Sequence, residues 1–326
     1  MAKKLVFLGM GGTIAGKAAS ASDNVGYKAG EVGVGQLLGA IPALAGTLGD
    51  WATAFEQVAQ IDSKDMGAAE WMALAQRVQF HLQQPEVAAV VITHGTDTLE
   101  ETAYFLSRVV GGSLLNAKPV VLTCAMRPAS SQSSDGPQNV LDAVAVARAT
   151  EARGVLAVCA GTAHSARDVQ KIHPYQLDAF DSGDAGPLAY VEEGAVRWLH
   201  ACPTEPGDDR LSGQGTLPAP EAWPRVEVVL SHAMGSGAMV RALCAAPPEG
   251  DAPVRGLVVA GTGNGTLQAD LEAALRHAQA QGVRVLRTTR CAYGSVVVGA
   301  SQDGLPSVGL SPVKARIALM LELMAS

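Results

Sequence analysis

No stretch of this sequence is apolar for long enough to cross a membrane, which takes about 18 consecutive residues, and no uninterrupted apolar run approaches that length. Basic clusters are also missing. Lys and Arg number 24 against 31 Asp and Glu, a formal net charge of −7, and no stripe of cations appears. Nucleic-acid binding draws most of its affinity from clustered Lys and Arg, so a phosphate backbone is excluded as the main partner. Charged residues make up only 17% of the chain and hydrophobic ones 48%, a balance incompatible with disorder. The five cysteines (Cys124, Cys159, Cys202, Cys244 and Cys291) are odd in number, widely spaced and without a CxxC pair. That pattern disfavours both a disulfide framework and a structural zinc site. Each thiol reads as a small buried hydrophobe, kept reduced in the cytoplasm. Before Gly9 stands only the short run Leu5–Leu8, behind two lysines. It is too brief for a secretory signal and reads as a first β-strand.

At about 150 residues per domain, a chain of 326 residues is expected to form two. Short β-rich runs recur at Leu5–Leu8, Val87–Thr93, Val120–Cys124, Val155–Ala160, Val226–Leu230, Leu257–Ala260 and Val283–Leu286. Helical patterns lie between many of them, at Ala68–Leu82, Leu99–Val109, Val140–Ala149, Leu271–Gln281 and Val313–Met324. This alternation predicts right-handed βαβ units and an α/β fold, with a mostly parallel sheet flanked by helices. From Cys202 to Pro224, prolines and glycines crowd a stretch without periodicity, which reads as a linker. The expected organisation is a larger N-terminal α/β domain over 1–201, a linker over 202–224 and a smaller C-terminal α/β domain over 225–326.

In an open α/β sheet, ligands bind beyond the carboxyl ends of the strands. Two segments there carry polar groups. After the first strand comes Gly9-Met10-Gly11-Gly12-Thr13-Ile14-Ala15-Gly16, whose glycines let the main chain approach a ligand while Thr13 offers a hydroxyl. After Val87–Thr93 comes His94-Gly95-Thr96-Asp97-Thr98-Leu99-Glu100-Glu101. Thr98 and Glu101 form a capping-box pattern. Gly95, Thr96 and Asp97 therefore precede a helix N-terminus, which favours a carboxylate or a developing oxyanion. The first loop lacks both the GxGxxG order and a following Gly-Lys-Ser/Thr, so it makes a poor nucleotide cradle. By local chemistry alone, Thr96 also fits a capping hydroxyl and Asp97 a solvated turn carboxylate. His94, alone at a strand end, reads as a structural residue, and His164 and His173 lack the spacing of a metal pair.

Taken together, Gly11-Gly12-Thr13-Ile14-Ala15-Gly16 and His94-Gly95-Thr96-Asp97-Thr98-Leu99-Glu100-Glu101-Thr102-Ala103 resemble the two signatures of the bacterial L-asparaginases and glutaminase-asparaginases. Further stretches are similar to that family in the same order. Gly26-Tyr27-Lys28-Ala29-Gly30 resembles its lid, and Ile61-Asp62-Ser63-Lys64-Asp65-Met66 its substrate-carboxylate loop. Ala125-Met126-Arg127-Pro128 with Ser134-Asp135-Gly136-Pro137 resembles its central loop. Arg167-Asp168-Val169-Gln170-Lys171 resembles its lysine segment, and Ala260-Gly261-Thr262-Gly263-Asn264-Gly265 a loop lent by a neighbouring subunit. The resemblance implies hydrolysis of L-asparagine to L-aspartate and ammonia, without metal or organic cofactor, in a cytoplasmic homotetramer whose dimers share active sites.

Residue by residue, the resemblance implies that Thr13 is a nucleophile closed over by Tyr27, and that Thr96, Asp97 and Lys171 form a second catalytic group. Gly12, Ser63, Gly95, Thr96, Asp97 and Asn264 would bind substrate. A threonine hydroxyl is a weak nucleophile until a neighbour takes its proton or stabilises the alkoxide. A lysine serves as a base only where burial lowers a pKa ordinarily about 10.4. Asp97 would instead favour the charged form, so Lys171 stands as either a base or a fixed cation. Glutamine is an alternative substrate, because one methylene shifts discrimination by only about 1–3 kcal/mol. Related archaeal amidotransferase subunits share the signatures but carry an N-terminal extension not seen here. A non-enzymatic amino-acid binding module would need neither two hydroxyls nor a lysine. Secreted members place a glutamate where this chain has Ser301. No glutamate lies between Arg290 and Asp303, which implies weaker binding of the substrate's amine unless Asp303 reaches the same place.

Overall fold

The computed structural model describes residues 3–204, 217–245, 247, 250, 252–298 and 304–326. The chain divides into two compact units that part between Leu217 and Pro218. The break falls within the Pro- and Gly-rich stretch read as a linker, of which residues 205–216 lie outside the described ones.

The first unit contains β1 (Lys4–Gly11), β2 (Lys17–Ala18), β3 (Tyr27–Lys28), β4 (Ala52–Ile61), β5 (Val87–Thr93) and β6 (Val120–Thr123). These are followed by β7 (Val155–Cys159), β8 (Thr162–Ser165), β9 (Gln170–Lys171), β10 (Phe180–Asp181), β11 (Ala189–Glu192) and β12 (Ala195–Trp198). Eight of them form one sheet in the order β12-β11-β8-β7-β6-β5-β1-β4. The pairings from β4 through β1, β5 and β6 to β7 are parallel. Those from β7 through β8 and β11 to β12 are antiparallel. A parallel strand covered on both faces reads as a continuous apolar run, which is why β5, β6 and β7 were visible in the sequence. β4 was not foreseen. It is an edge strand with no fully buried residue and with Phe55 largely exposed, so its apolar signal is weak.

The helices of this unit are α1 (Val34–Gly39), α2 (Leu44–Leu48), α3 (Ala68–Leu82), α4 (Leu99–Val109), α5 (Gly112–Ala117) and α6 (Gly136–Arg148). On one face of the sheet, Leu5, Phe7, Ala89 and Val91 pack with Val34, Leu37, Val140 and Val144. Elsewhere in the unit, Trp71 of α3 stacks on Phe105 of α4, with ring centroids 4.8 Å apart, and its indole N–H donates to Thr102 Oγ1 at 2.9 Å. That joint fixes α4, whose N-terminus follows the second signature loop. Observed and expected limits coincide for α3 and α4. α6 begins four residues before the expected Val140, because Pro137 in its first turn suits a helix start.

The second unit has a three-stranded parallel sheet of β13 (Arg225–Leu230), β14 (Val254–Gly261) and β15 (Arg284–Thr289), in that order. Its helices are α7 (Ala238–Cys244), α8 (Ala269–Ala280) and α9 (Pro312–Ala325). Val229, Val240, Leu257, Val259, Leu271 and Leu275 form its core.

The expected capping box is not the one formed. Thr98 is the N-cap of α4, but its side chain makes no capping bond to the helix. Its hydroxyl donates instead to the carbonyl of Ser63 at 2.8 Å and ties two loops together.

All five cysteines are free. Cys124 and Cys159 are the buried hydrophobes expected, with their sulfurs 3.1 Å apart, whereas Cys291 is exposed. Burial, assisted by Cys159, pushes the Cys124 thiol well above its ordinary range. Alkylation needs a thiolate and access. Iodoacetamide at pH 8 should therefore modify Cys124 and Cys159 only once the protein is unfolded. Peptide mass spectrometry would refute this by finding Cys124 labelled in the native state as fast as in denaturant.

Candidate active site

β1 leads into the first of the two loops, the one that carries Thr13. Its last residue, Gly11, and then Gly12 both take positive φ, 93° and 78°, a backbone turn that glycine accepts without steric penalty. The turn is pinned on both sides: Gly12 N–H donates to Ile61 O at 2.8 Å, and Gly12 O accepts from Gly30 N–H at 3.1 Å. Thr13 then opens a short 3₁₀ turn and is buried. Its hydroxyl shares a 2.7 Å hydrogen bond with the Tyr27 hydroxyl. Tyr27 lies on β3, paired with β2 as Ala18↔Tyr27, and its ring lies against Gly16, where a Cβ would come within 2.8 Å of Tyr27 Cδ2. Burial raises the Tyr27 pKa, the Thr13 bond offsets part of that rise, and the Asp62 and Asp97 carboxylates add to it. The phenol is therefore neutral at neutral pH.

β5 delivers the second group. Beyond Thr93 the chain passes through His94 and Gly95 to Thr96, which is buried, and Asp97, whose side chain is 53% exposed. Ser63, also buried, accepts the Asp97 N–H on its hydroxyl at 3.2 Å. Lys171 comes from β9. Its Nζ donates to Thr96 Oγ1 at 2.8 Å and to Asp97 Oδ1 at 2.7 Å. Because Lys171 donates to Thr96, the threonine's own hydrogen is left to point elsewhere.

The two loops touch. A Cβ on Gly12 would collide with Gly95 Cα, and one on Gly95 would lie 2.7 Å from Ser63 Cβ and 3.2 Å from Gly12 Cα. Glycine at both positions is what permits the Thr13 and Thr96 loops to come this close. Thr13, Tyr27, Gly12, Gly95, Ser63, Thr96, Asp97 and Lys171 thus gather at the carboxyl ends of β1 and β5. Asn264 belongs to the second unit. It brackets Val297 there, donating to its carbonyl at 2.9 Å and accepting its N–H at 2.7 Å. Ser301 and Asp303 lie outside the described residues. Among the described residues no three His, Cys, Asp or Glu side chains are grouped to hold a metal ion, and no helix is long and apolar enough to cross a membrane.

Residues 4–203 match the family model "Asparaginase, N-terminal". Residues 225–326 match "Glutaminase/Asparaginase C-terminal domain". This chain belongs to the asparaginase family. It is 36% identical to L-asparaginase 2 of Escherichia coli K12, over 98% of this chain and 88% of that one. It is 35% identical to a glutaminase-asparaginase of Pseudomonas fluorescens biotype A, over 98% and 86%. A solved structure, the probable cytoplasmic L-asparaginase from Campylobacter jejuni, matches with a TM-score of 0.87 at 35% identity, covering 99% of this chain and 96% of that one.

Within this asparaginase framework one buried acid, Glu100, escaped the sequence reading: its carboxylate accepts the backbone N–H of Lys171 at 3.2 Å. No local pattern announces a contact between residues 71 positions apart. His94, in contrast, has the structural environment expected of it. It is wholly buried, its Nδ1 bonds to Gly95 O at 2.8 Å, and its Nε2 has no partner among the described residues. Burial lowers its pKa to about 4, so it is neutral and carries no charge into the site.

That depression has a definite sign. The unfolded chain takes up the proton near pH 6.5 and the folded one only near 4, so stability present above pH 6.5 is lost as pH falls towards 4. Between pH 7 and 4.5 the loss from this group is about 2 kcal/mol, at roughly 1.4 kcal/mol per pKa unit. Urea unfolding at the two pH values should show His94→Gln losing about that much less stability than the parent on acidification. Equal pH dependence in the two proteins would overturn the assignment.

Proposed function

We propose that this protein hydrolyses the side-chain amide of L-asparagine to L-aspartate and ammonia through an acyl-enzyme on Thr13. The observation that carries the reading is the pair of separately activated hydroxyls, Thr13 bound to Tyr27 and Thr96 bound to Lys171, on two loops in contact. Thr13 Oγ1 attacks the amide carbon, and the C–N bond breaks as ammonia leaves. A water molecule then attacks the ester, releasing aspartate and restoring the hydroxyl. A neutral Tyr27 relays rather than stores the proton, accepting that of Thr13 while passing its own to the departing nitrogen. Thr96, with its hydrogen free, donates to the oxyanion beside the N-terminus of α4.

The same geometry supports an orientation for the substrate. The Ser63 hydroxyl accepts the Asp97 N–H, and its own hydrogen donates to the substrate α-carboxylate. Asp97 shares one oxygen with Lys171 and offers the other to the α-ammonium, a charge-assisted contact. Asn264 reaches the site of a neighbouring subunit in a homotetramer of dimers that share active sites. In the second unit Asn264 brackets Val297, which is 74% exposed, with Val298 beside it 62% exposed. A cytoplasmic location fits the name of the Campylobacter jejuni relative. Glutamine is the second reading, favoured by the glutaminase-asparaginase among the relatives.

Ammonia release from L-asparagine and L-glutamine, measured in parallel, tests the reaction. Thr13→Ala should keep the fold and aspartate binding but lose at least about 10³-fold in kcat, as expected when a covalent route is removed. Near-normal turnover in that variant would refute the nucleophile.

A further inference from the structure

Lys171 is carried by an unusually slight element. β9 is two residues long, pairs among the described residues with β10 alone and stands outside the eight-stranded sheet. The hairpin holds the next residue through Ile172 N–H to Ala179 O at 2.8 Å. In an antiparallel pair only alternate residues exchange ladder bonds, and Lys171 directs its N–H to Glu100 Oε1 at 3.2 Å. Glu100 sits in the first turn of α4 and is 8% exposed. The helix dipole favours a carboxylate there, which offsets part of the cost of burying it. One helix start therefore meets both ends of the same residue. Thr96 and Asp97, just before α4, receive the Lys171 ammonium, and Glu100, just inside it, receives the Lys171 amide.

We propose that Glu100 is a positioning residue for the reaction: its carboxylate accepts the Lys171 backbone N–H and so holds the lysine ammonium on Thr96 and Asp97. Glu100 acts through Lys171 and touches no substrate. A lysine side chain is long and flexible, so its tip is only as well placed as its Cα. Holding the amide to the helix that carries the acceptors removes relative motion between donor and acceptors, and misplacement by about 1 Å at a reacting centre costs on the order of 100-fold in rate.

The proposal separates reach from charge. Glu100→Gln keeps both the length and an accepting oxygen, whereas Glu100→Asp keeps the charge but withdraws by one methylene. Its kinetic arm rests on the asparagine-hydrolysis reading. Glu100→Asp should lose about 10- to 100-fold, mainly in kcat, while Glu100→Gln stays within about 3-fold of the parent. In a Lys171→Met background, Glu100→Asp should change kcat by less than about 2-fold, because both changes disable one unit. Amide exchange over residues 169–173, followed by mass spectrometry, should quicken by about 10-fold in Glu100→Asp and not in Glu100→Gln. That arm is readable even if asparagine proves not to be the substrate, so the two readings fail separately. Unchanged exchange in Glu100→Asp, a full additional loss in the Lys171→Met background, or equal damage from Gln and Asp would each overturn the proposal.

Discussion

The contact between Gly12 and Gly95 is the constraint on which the site depends. Neither position has room for a Cβ, and each glycine directly precedes one of the two threonines, Thr13 and Thr96. Adjacent parallel strands bring β1 and β5 side by side, but side chains at their ends would normally hold the following loops apart. With both Cβ atoms removed, the Thr13 and Thr96 loops meet through backbone. Ser63 fills the remaining space from a third loop and bonds to both Asp97 N–H and the Thr98 hydroxyl. The geometry is thus set by excluded volume first and by hydrogen bonds second.

Around that contact the polar groups divide into two sets with different electrostatics. The Thr13–Tyr27 pair is neutral and desolvated, suited to moving a proton without separating charge. The Thr96–Lys171–Asp97 set carries the charges, with Lys171 only 16% exposed and Asp97 opening to solvent. Asp97 thereby keeps an edge open to solvent while Lys171 is held between Thr96 and Asp97. His94 lies between β5 and this set, yet burial keeps it neutral. The charges gathered at this loop therefore come from Lys171 and Asp97, with no contribution from His94.

What was legible in the sequence follows from how locally each feature is determined. β5 and α4 carry their own signals, an apolar run and a 3.6-residue periodicity, and their limits coincide with expectation. β4 hides because an edge strand buries little. Thr98 misled because its spacing to Glu101 matches a capping box, while a carbonyl from a distant loop, that of Ser63, took its hydroxyl instead. Thr13 and Thr96 stand out as polar residues after strands. Ser63, Tyr27 and Lys171, on a 3₁₀ turn and two-residue strands, have no periodic context and were placed by resemblance alone. Glu100 lies within the second signature, but its contact with Lys171 depends on a tertiary partner.

In the proposed reaction, Thr13 is the one of the two juxtaposed hydroxyls that forms the covalent bond, and Thr96 assists. The most direct measurement is to mix the protein with L-asparagine, quench in acid within milliseconds, and map the modified residue by proteolysis and mass spectrometry. An aspartyl group is expected on the peptide that contains Thr13. An aspartyl group on Thr96, or on any other residue, would contradict it.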